Sequence, residues 1–169
     1  MAKIKVLMIC MGNICRSPTA QGVLETQLVQ RGWQQQVFVD SAGTHAYHTG
    51  SPPDKRSQQT ALRRGIDLSE QRARLVTELD FAEFDYVLAM DMHNLQYLQR
   101  IDPPAHKSKL QLLLSFSPHL PALAEVPDPY YGGDNGFERV LDLIEEAVEG
   151  LLLDIEQRLK LAGHEYPAK

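Results

Sequence analysis

Cys10 and Arg16 bracket Met11, Gly12, Asn13, Ile14 and Cys15, so a thiol and a guanidinium share one short loop. The apolar run before it, Val6-Leu7-Met8-Ile9, predicts a buried strand. Ser17-Pro18-Thr19-Ala20 after it predicts a helix start, with Ser17 as N-cap and Pro18 at the first helical position. The amides of such a strand–loop–helix turn point inward and cradle an anion. A helix N-terminus and the Arg16 charge favour a thiolate at Cys10 over a thiol. A thiolate at the base of an anion cradle, with a forked guanidinium at its rim, suits nucleophilic attack on phosphorus. The Cys-to-Arg spacing alone is weak evidence; Gly12, Asn13, Ser17 and the flanking elements make it specific. Neither G-x-x-x-x-G-K-[S/T] nor G-x-G-x-x-G occurs, which removes the nucleoside-triphosphate and dinucleotide loops.

The elements that must position this loop follow from periodicity. Strands are expected at Lys3–Ile9, Val37–Asp40, Tyr86–Ala89 and Leu110–Leu114. Helices are expected at Ser17–Arg31, Asp54–Arg64, Met92–Arg100 and Phe137–Leu161, the last with Phe137, Val140, Leu141, Ile144, Val148, Leu151, Leu152 and Ile155 on one face. Between Ser115 and Gly136 the chain is rich in Pro and Gly and has no period. Strands alternating with helices argue for a parallel sheet covered on both faces. Ligands of such sheets sit at the carboxyl ends of the strands, where the Cys10 loop, the Ser41 loop and the Met90-Asp91 turn all fall. An irregular stretch of about twenty residues in a compact domain points to a functional loop. Asp128-Pro129 lies in it; on residue type alone this is a general acid or an ordinary turn.

With 169 residues and 43% hydrophobic residues, the chain is expected to be one soluble domain, residues 1–169, with a proper core. A net charge of -5 argues against bulk attraction to nucleic acid or anionic membrane. No stretch approaches a membrane span or a signal peptide, so a cytoplasmic protein is expected. Both cysteines lie in one loop, which is no disulfide framework. The histidines show no ligand spacing, and neither metal nor cofactor is expected. The basic residues Lys55, Arg56, Arg63, Arg64, Arg72 and Arg74 read as a solvated face rather than a docking patch.

The Cys10–Ser17 loop, Asp40-Ser41-Ala42-Gly43-Thr44, Met90-Asp91 and Asp128-Pro129-Tyr130-Tyr131 together resemble the low-molecular-weight protein tyrosine phosphatases, in order and spacing over nearly the whole chain. The resemblance implies a three-layer α/β/α fold around a four-stranded parallel sheet in the order 2-1-3-4. It implies hydrolysis of phosphotyrosine and small aryl phosphates through a cysteinyl phosphate. Cys10 would be the nucleophile, Arg16 the phosphate clamp and Asp128 the general acid and base. Met11, Gly12, Asn13, Ile14, Cys15 and Ser17 would bind the phosphoryl group, the Ser17 hydroxyl donating to Cys10. Tyr47 would form an aromatic wall with Met11 opposite. Tyr130 and Tyr131 would line the entrance and be possible phosphorylation sites. Asn13 would hold the loop in a strained shape with Ser41 as a partner, and Asp91 would support it. Gln71 stands where the family pattern has a histidine. Cys15 would pair with Cys10 on oxidation and protect it. Expected partners are a phosphotyrosine protein or peptide, tyrosine kinases among them, for a monomer or weak dimer.

Relatives of this fold supply the rival readings. Thioredoxin-coupled arsenate reductases need further cysteines, and this chain has none outside the loop. Protein-arginine phosphatases carry Thr where this chain has Ile14. A non-catalytic phosphate-binding module would lack Cys10 or Asp128, and both are present. Thiol–disulfide exchange would rest on Cys10 and Cys15, whose spacing is not C-x-x-C.

Overall fold

Alternate residues of the first strand feed two different cores. β1 (Ile4–Cys10) sends Ile4, Val6, Met8 and Cys10 to one face and Leu7 and Ile9 to the other, as the two-residue period of a strand requires. With both faces covered, the strand is a continuous apolar run rather than an alternating one. The molecule, seen in a computed structural model, is described for residues 2–102, 104–131, 133–161 and 163, without the side chains of residues 104, 105, 131 and 134.

The sheet contains β1, β2 (Val37–Gly43), β3 (Tyr86–Ala89) and β4 (Leu110–Leu112) in the order β2-β1-β3-β4. All pairings are parallel, and Cys10 lies level with Gly43 of β2. On one face α1 (Arg16–Arg31) and α5 (Gly136–Leu161) pack against each other and the sheet, with α2 (Lys55–Leu62) beside them. Their buried stripes carry Ala20, Val23, Leu24 and Leu28, and Val140 to Leu159. The other face holds α3 (Glu78–Glu83) and α4 (Met92–Ile101), which contribute Phe81, Leu95 and Leu98. This is the expected three-layer sheet order. Among the described residues no helix is long and apolar enough to cross a membrane.

Several boundaries differ from expectation. β2 runs on to Gly43 because Ser41 and Ala42 are buried beside β1. β4 stops at Leu112, and Leu113–Phe116 tightens into a 3₁₀ turn. α3 has only six residues, too short for a periodic signal, and is held by a reciprocal capping box between Thr77 and Asp80. The expected solvated basic face is largely ion-paired: Arg63 and Arg64 to Glu138, Arg56 to Asp54, and Arg74 to Asp40 and Asp80.

Candidate active site

Asn13 holds the key to the loop's shape. Among the described residues it is the one non-glycine with a positive φ, 56°. That conformation costs an L-residue roughly 1–2 kcal/mol, so its surroundings must over-determine it. They do. Asn13 is 2% exposed, and its side chain makes three hydrogen bonds. Nδ2 donates to Ser17 Oγ (2.8 Å) and Ser41 Oγ (2.9 Å), and Oδ1 accepts from the Arg74 amide (3.0 Å). Leaving any of these buried groups unpaired would cost about 1–3 kcal/mol, comparable to the strain they offset. Ser41 passes its own proton to Gln21 Oε1 at 2.7 Å. Gly43 makes room: a Cβ there would come within 2.8 Å of Met11 O.

This framework aims donors at the Cys10 sulfur. The Asn13 amide donates to Sγ at 3.2 Å, and Ser17 Oγ lies 3.0 Å from it. Because Ser17 Oγ already accepts from Asn13, its hydroxyl proton is free for the sulfur. Cys10 is 3% exposed at the end of β1. One expectation is corrected here. Ser17 is not the N-cap: α1 begins at Arg16, Cys15 occupies the cap position without a capping bond from its side chain, and Pro18 is the third helical residue. Proline is tolerated there because first-turn amides have no intrahelical partner. The Ser17 hydroxyl is spent on the site instead.

Arg16 is buried and fixed through one nitrogen. Nη1 donates to Asp91 Oδ2 (2.6 Å) and to the Val126 carbonyl (3.1 Å), while Nε and Nη2 have no partner among the described residues. Burial opposes its charge, but a Cys10 thiolate and Asp91 outweigh that and raise the guanidinium further above its ordinary value. Asp91 also caps α4, its Oδ1 accepting from the Asn94 amide while its Oδ2 accepts from Arg16. Val126 binds Met90 through its amide, which ties the start of the Asp128 loop to the end of β3.

Cys10, Met11, Gly12, Ile14, Cys15, Arg16, His48, Asp128 and Tyr130 line one cavity of about 160 Å³ at the carboxyl end of β1. Asp128 Oδ1 accepts from the Tyr130 amide at 3.0 Å. Tyr130 OH donates to Asp54 Oδ2 at 3.1 Å, and the Asp54 amide donates to the Ile14 carbonyl at 2.8 Å. Cys15 is buried, and burial pushes its thiol up to about 12, against a hydrogen bond from Ser57 that acts the other way. Cys15 is therefore a neutral thiol near pH 7.

One expectation places differently. Tyr47 is 88% exposed, stacks on His45 at 6.1 Å and is not among the cavity-lining residues; His48, next along the chain, is. Gln71 does not reach Asn13: its Nε2 donates to the Pro18 carbonyl at 3.0 Å, and the Arg74 amide is the third partner of Asn13. The Tyr131 side chain lies outside the described residues. His48, Asp54, Arg74 and Gln21 were missed. Only Asp54, a helix cap after Pro52-Pro53, carried a local sign of its position. Among the described residues no three metal-binding side chains converge.

A model of the family "Low molecular weight phosphotyrosine protein phosphatase" matches residues 5–161. The human protein of that name is 44% identical over 137 residues, spanning 80% of this chain and 85% of its own length. The low molecular weight protein-tyrosine-phosphatase YfkJ of Bacillus subtilis is 38% identical over 158 residues, 94% of this chain and 99% of its own. A crystal structure of a protein tyrosine phosphatase from Entamoeba histolytica, with Hepes in its active site, superposes with a TM-score of 0.86 at 38% identity, covering 91% of this chain and 97% of that one. Sequence and fold agree, and the chain belongs to the low molecular weight phosphotyrosine protein phosphatases.

Proposed function

We propose that the protein hydrolyses phosphotyrosine through a cysteinyl phosphate formed on Cys10. The observation that carries this reading is the convergence of Cys10, Arg16 and Asp128 on one small cavity. The phosphoryl group sits over the loop, with Arg16 Nε and Nη2 and the loop amides from Met11 to Ser17 on its oxygens. The Cys10 thiolate attacks phosphorus, a P–S bond forms, and the P–O bond to the ring breaks. Asp128 gives its proton to the departing phenolate. The same carboxylate then takes a proton from water, which attacks phosphorus, and the P–S bond breaks to release phosphate and the thiolate. Fixed dipoles in the loop meet the spreading charge without reorganising, which is where most of the acceleration arises.

Met11, 42% exposed at the rim, with His48 and Tyr130, supplies the contact surface for the aryl ring. Tyr47 stands outside that wall and is left to flanking parts of a protein substrate. Cys15 is the protective partner: peroxide oxidises Cys10 to the sulfenic acid, and condensation with the Cys15 thiol forms a disulfide with loss of water. We further infer a single catalytic domain, a monomer or weak dimer, at work in the cytoplasm on tyrosine-phosphorylated proteins, tyrosine kinases among them.

The test is phosphate release from p-nitrophenyl phosphate and from phosphotyrosine, phosphoserine and phosphoarginine peptides in one assay. Turnover of the first two, with kcat/KM for the others lower by about 10²-fold or more, is expected, since the serine and arginine peptides bring no ring to Met11 and Tyr130. Comparable phosphoarginine turnover would show that Ile14 does not exclude that substrate. Comparable phosphoserine turnover would refute the aryl selectivity.

A further inference from the structure

The general-acid loop is anchored at a point away from the chemistry. Tyr130, whose amide orients the Asp128 carboxylate, has its ring 4.8 Å from the Arg56 guanidinium. The same guanidinium lies 4.7 Å from the centre of the Phe137 ring, so the cation touches both the acid loop and the first turn of α5. Arg56 also bonds both Asp54 oxygens at 3.3 Å, and Asp54 accepts the Tyr130 hydroxyl. Asp54 is joined in turn to the catalytic loop through its amide and the Ile14 carbonyl. The far end of the acid loop is seated as closely: a Cβ on Gly136 would lie 2.9 Å from the Pro129 carbonyl.

We propose that Arg56 is a positioning residue for the general acid. It does not line the cavity. It acts through Tyr130, whose ring it clamps and whose amide sets the Asp128 carboxylate. The physical logic is that a carboxylate on an irregular loop has many orientations, and proton transfer needs one of them. Holding the neighbouring residue against two helix starts selects it. A cation against two rings does this better than an apolar contact, because the same guanidinium keeps Asp54 in place to accept the Tyr130 hydroxyl.

This inference rests on the assignment of Asp128 as general acid, and the experiment separates the two. kcat/KM is measured for phenyl phosphate, a poor leaving group, and p-nitrophenyl phosphate, a good one, in wild type, Arg56→Ala, Asp128→Ala and the double variant. Arg56→Ala is expected to lower the phenyl phosphate value by about tenfold, a part of what a general acid contributes, and the p-nitrophenyl phosphate value by less than about twofold. The double variant is expected to match Asp128→Ala alone, because Arg56 acts only through Asp128. If Arg56→Ala lowers both substrates equally, or leaves both unchanged, while Asp128→Ala shows the leaving-group dependence, the positioning role is wrong and the acid assignment stands. Further loss in the double variant would also overturn it. Absence of leaving-group dependence in Asp128→Ala would overturn both.

Discussion

Cys10→Ser is expected to abolish turnover of every aryl phosphate, a loss of about 10⁴-fold or more, while inorganic phosphate and vanadate still bind. The reason lies in what surrounds the sulfur. Its described neighbours are the Asn13 amide and the Ser17 hydroxyl, both arranged to donate. Donors stabilise the charge of a thiolate nucleophile, which attacks without a general base. A serine oxygen in the same place would keep its proton, because neither neighbour is a base. Arg16 and the loop amides would be undisturbed, so the anion site should survive. Isothermal titration of phosphate alongside the rate assay checks both halves. Retained turnover would remove Cys10 as nucleophile, and lost phosphate binding would mean the substitution had collapsed the loop.

The second large effect belongs to Asp128. Asp128→Ala should lower kcat/KM for phenyl phosphate by about 10²–10⁴-fold, the usual span for a positioned acid. p-Nitrophenyl phosphate should fall far less. A phenolate leaves with a conjugate-acid pKa near that of tyrosine, about 10, and needs its proton as the P–O bond breaks. p-Nitrophenolate is stable without one. A plot of rate against leaving-group pKa should therefore steepen in the variant. Parallel lines for the two proteins would show that the carboxylate does something other than proton transfer. This prediction has structural support in the tethering of Asp128 to the Tyr130 amide within the cavity that Cys10 lines.

The parts of this site that were legible in the sequence are those written locally. The strand end, the loop and the helix start sit within ten residues, so the Cys10 loop can be read directly. Asp91 was legible as a cap, and its second bond, to Arg16, is consistent with the supporting role drawn from the resemblance. The four-stranded order followed from the same resemblance, while the parallel pairing followed from alternation alone. What escaped depends on long-range meeting. The Arg74 amide reaches Asn13 across 61 residues of sequence, and Tyr130 reaches Asp54 across 76. No periodicity or composition encodes those encounters. Ser17 shows a different limit: serine before proline is a sound cap signal, yet its hydroxyl is more use beside the sulfur, and the helix cap falls two residues earlier, at Cys15. Tyr47 and His48 show a third. A loop aromatic read as a wall is turned outward, and the adjacent imidazole takes the cavity.

The most direct measurement is to trap the intermediate. Wild-type protein is mixed with a phosphotyrosine peptide, quenched in acid within milliseconds, digested and mapped by mass spectrometry. A phosphate on Cys10, appearing in a burst and absent from the Cys10→Ser variant, is the expected result. Burst turnover with unmodified Cys10, or with phosphate on another residue, would contradict covalent catalysis by this cysteine.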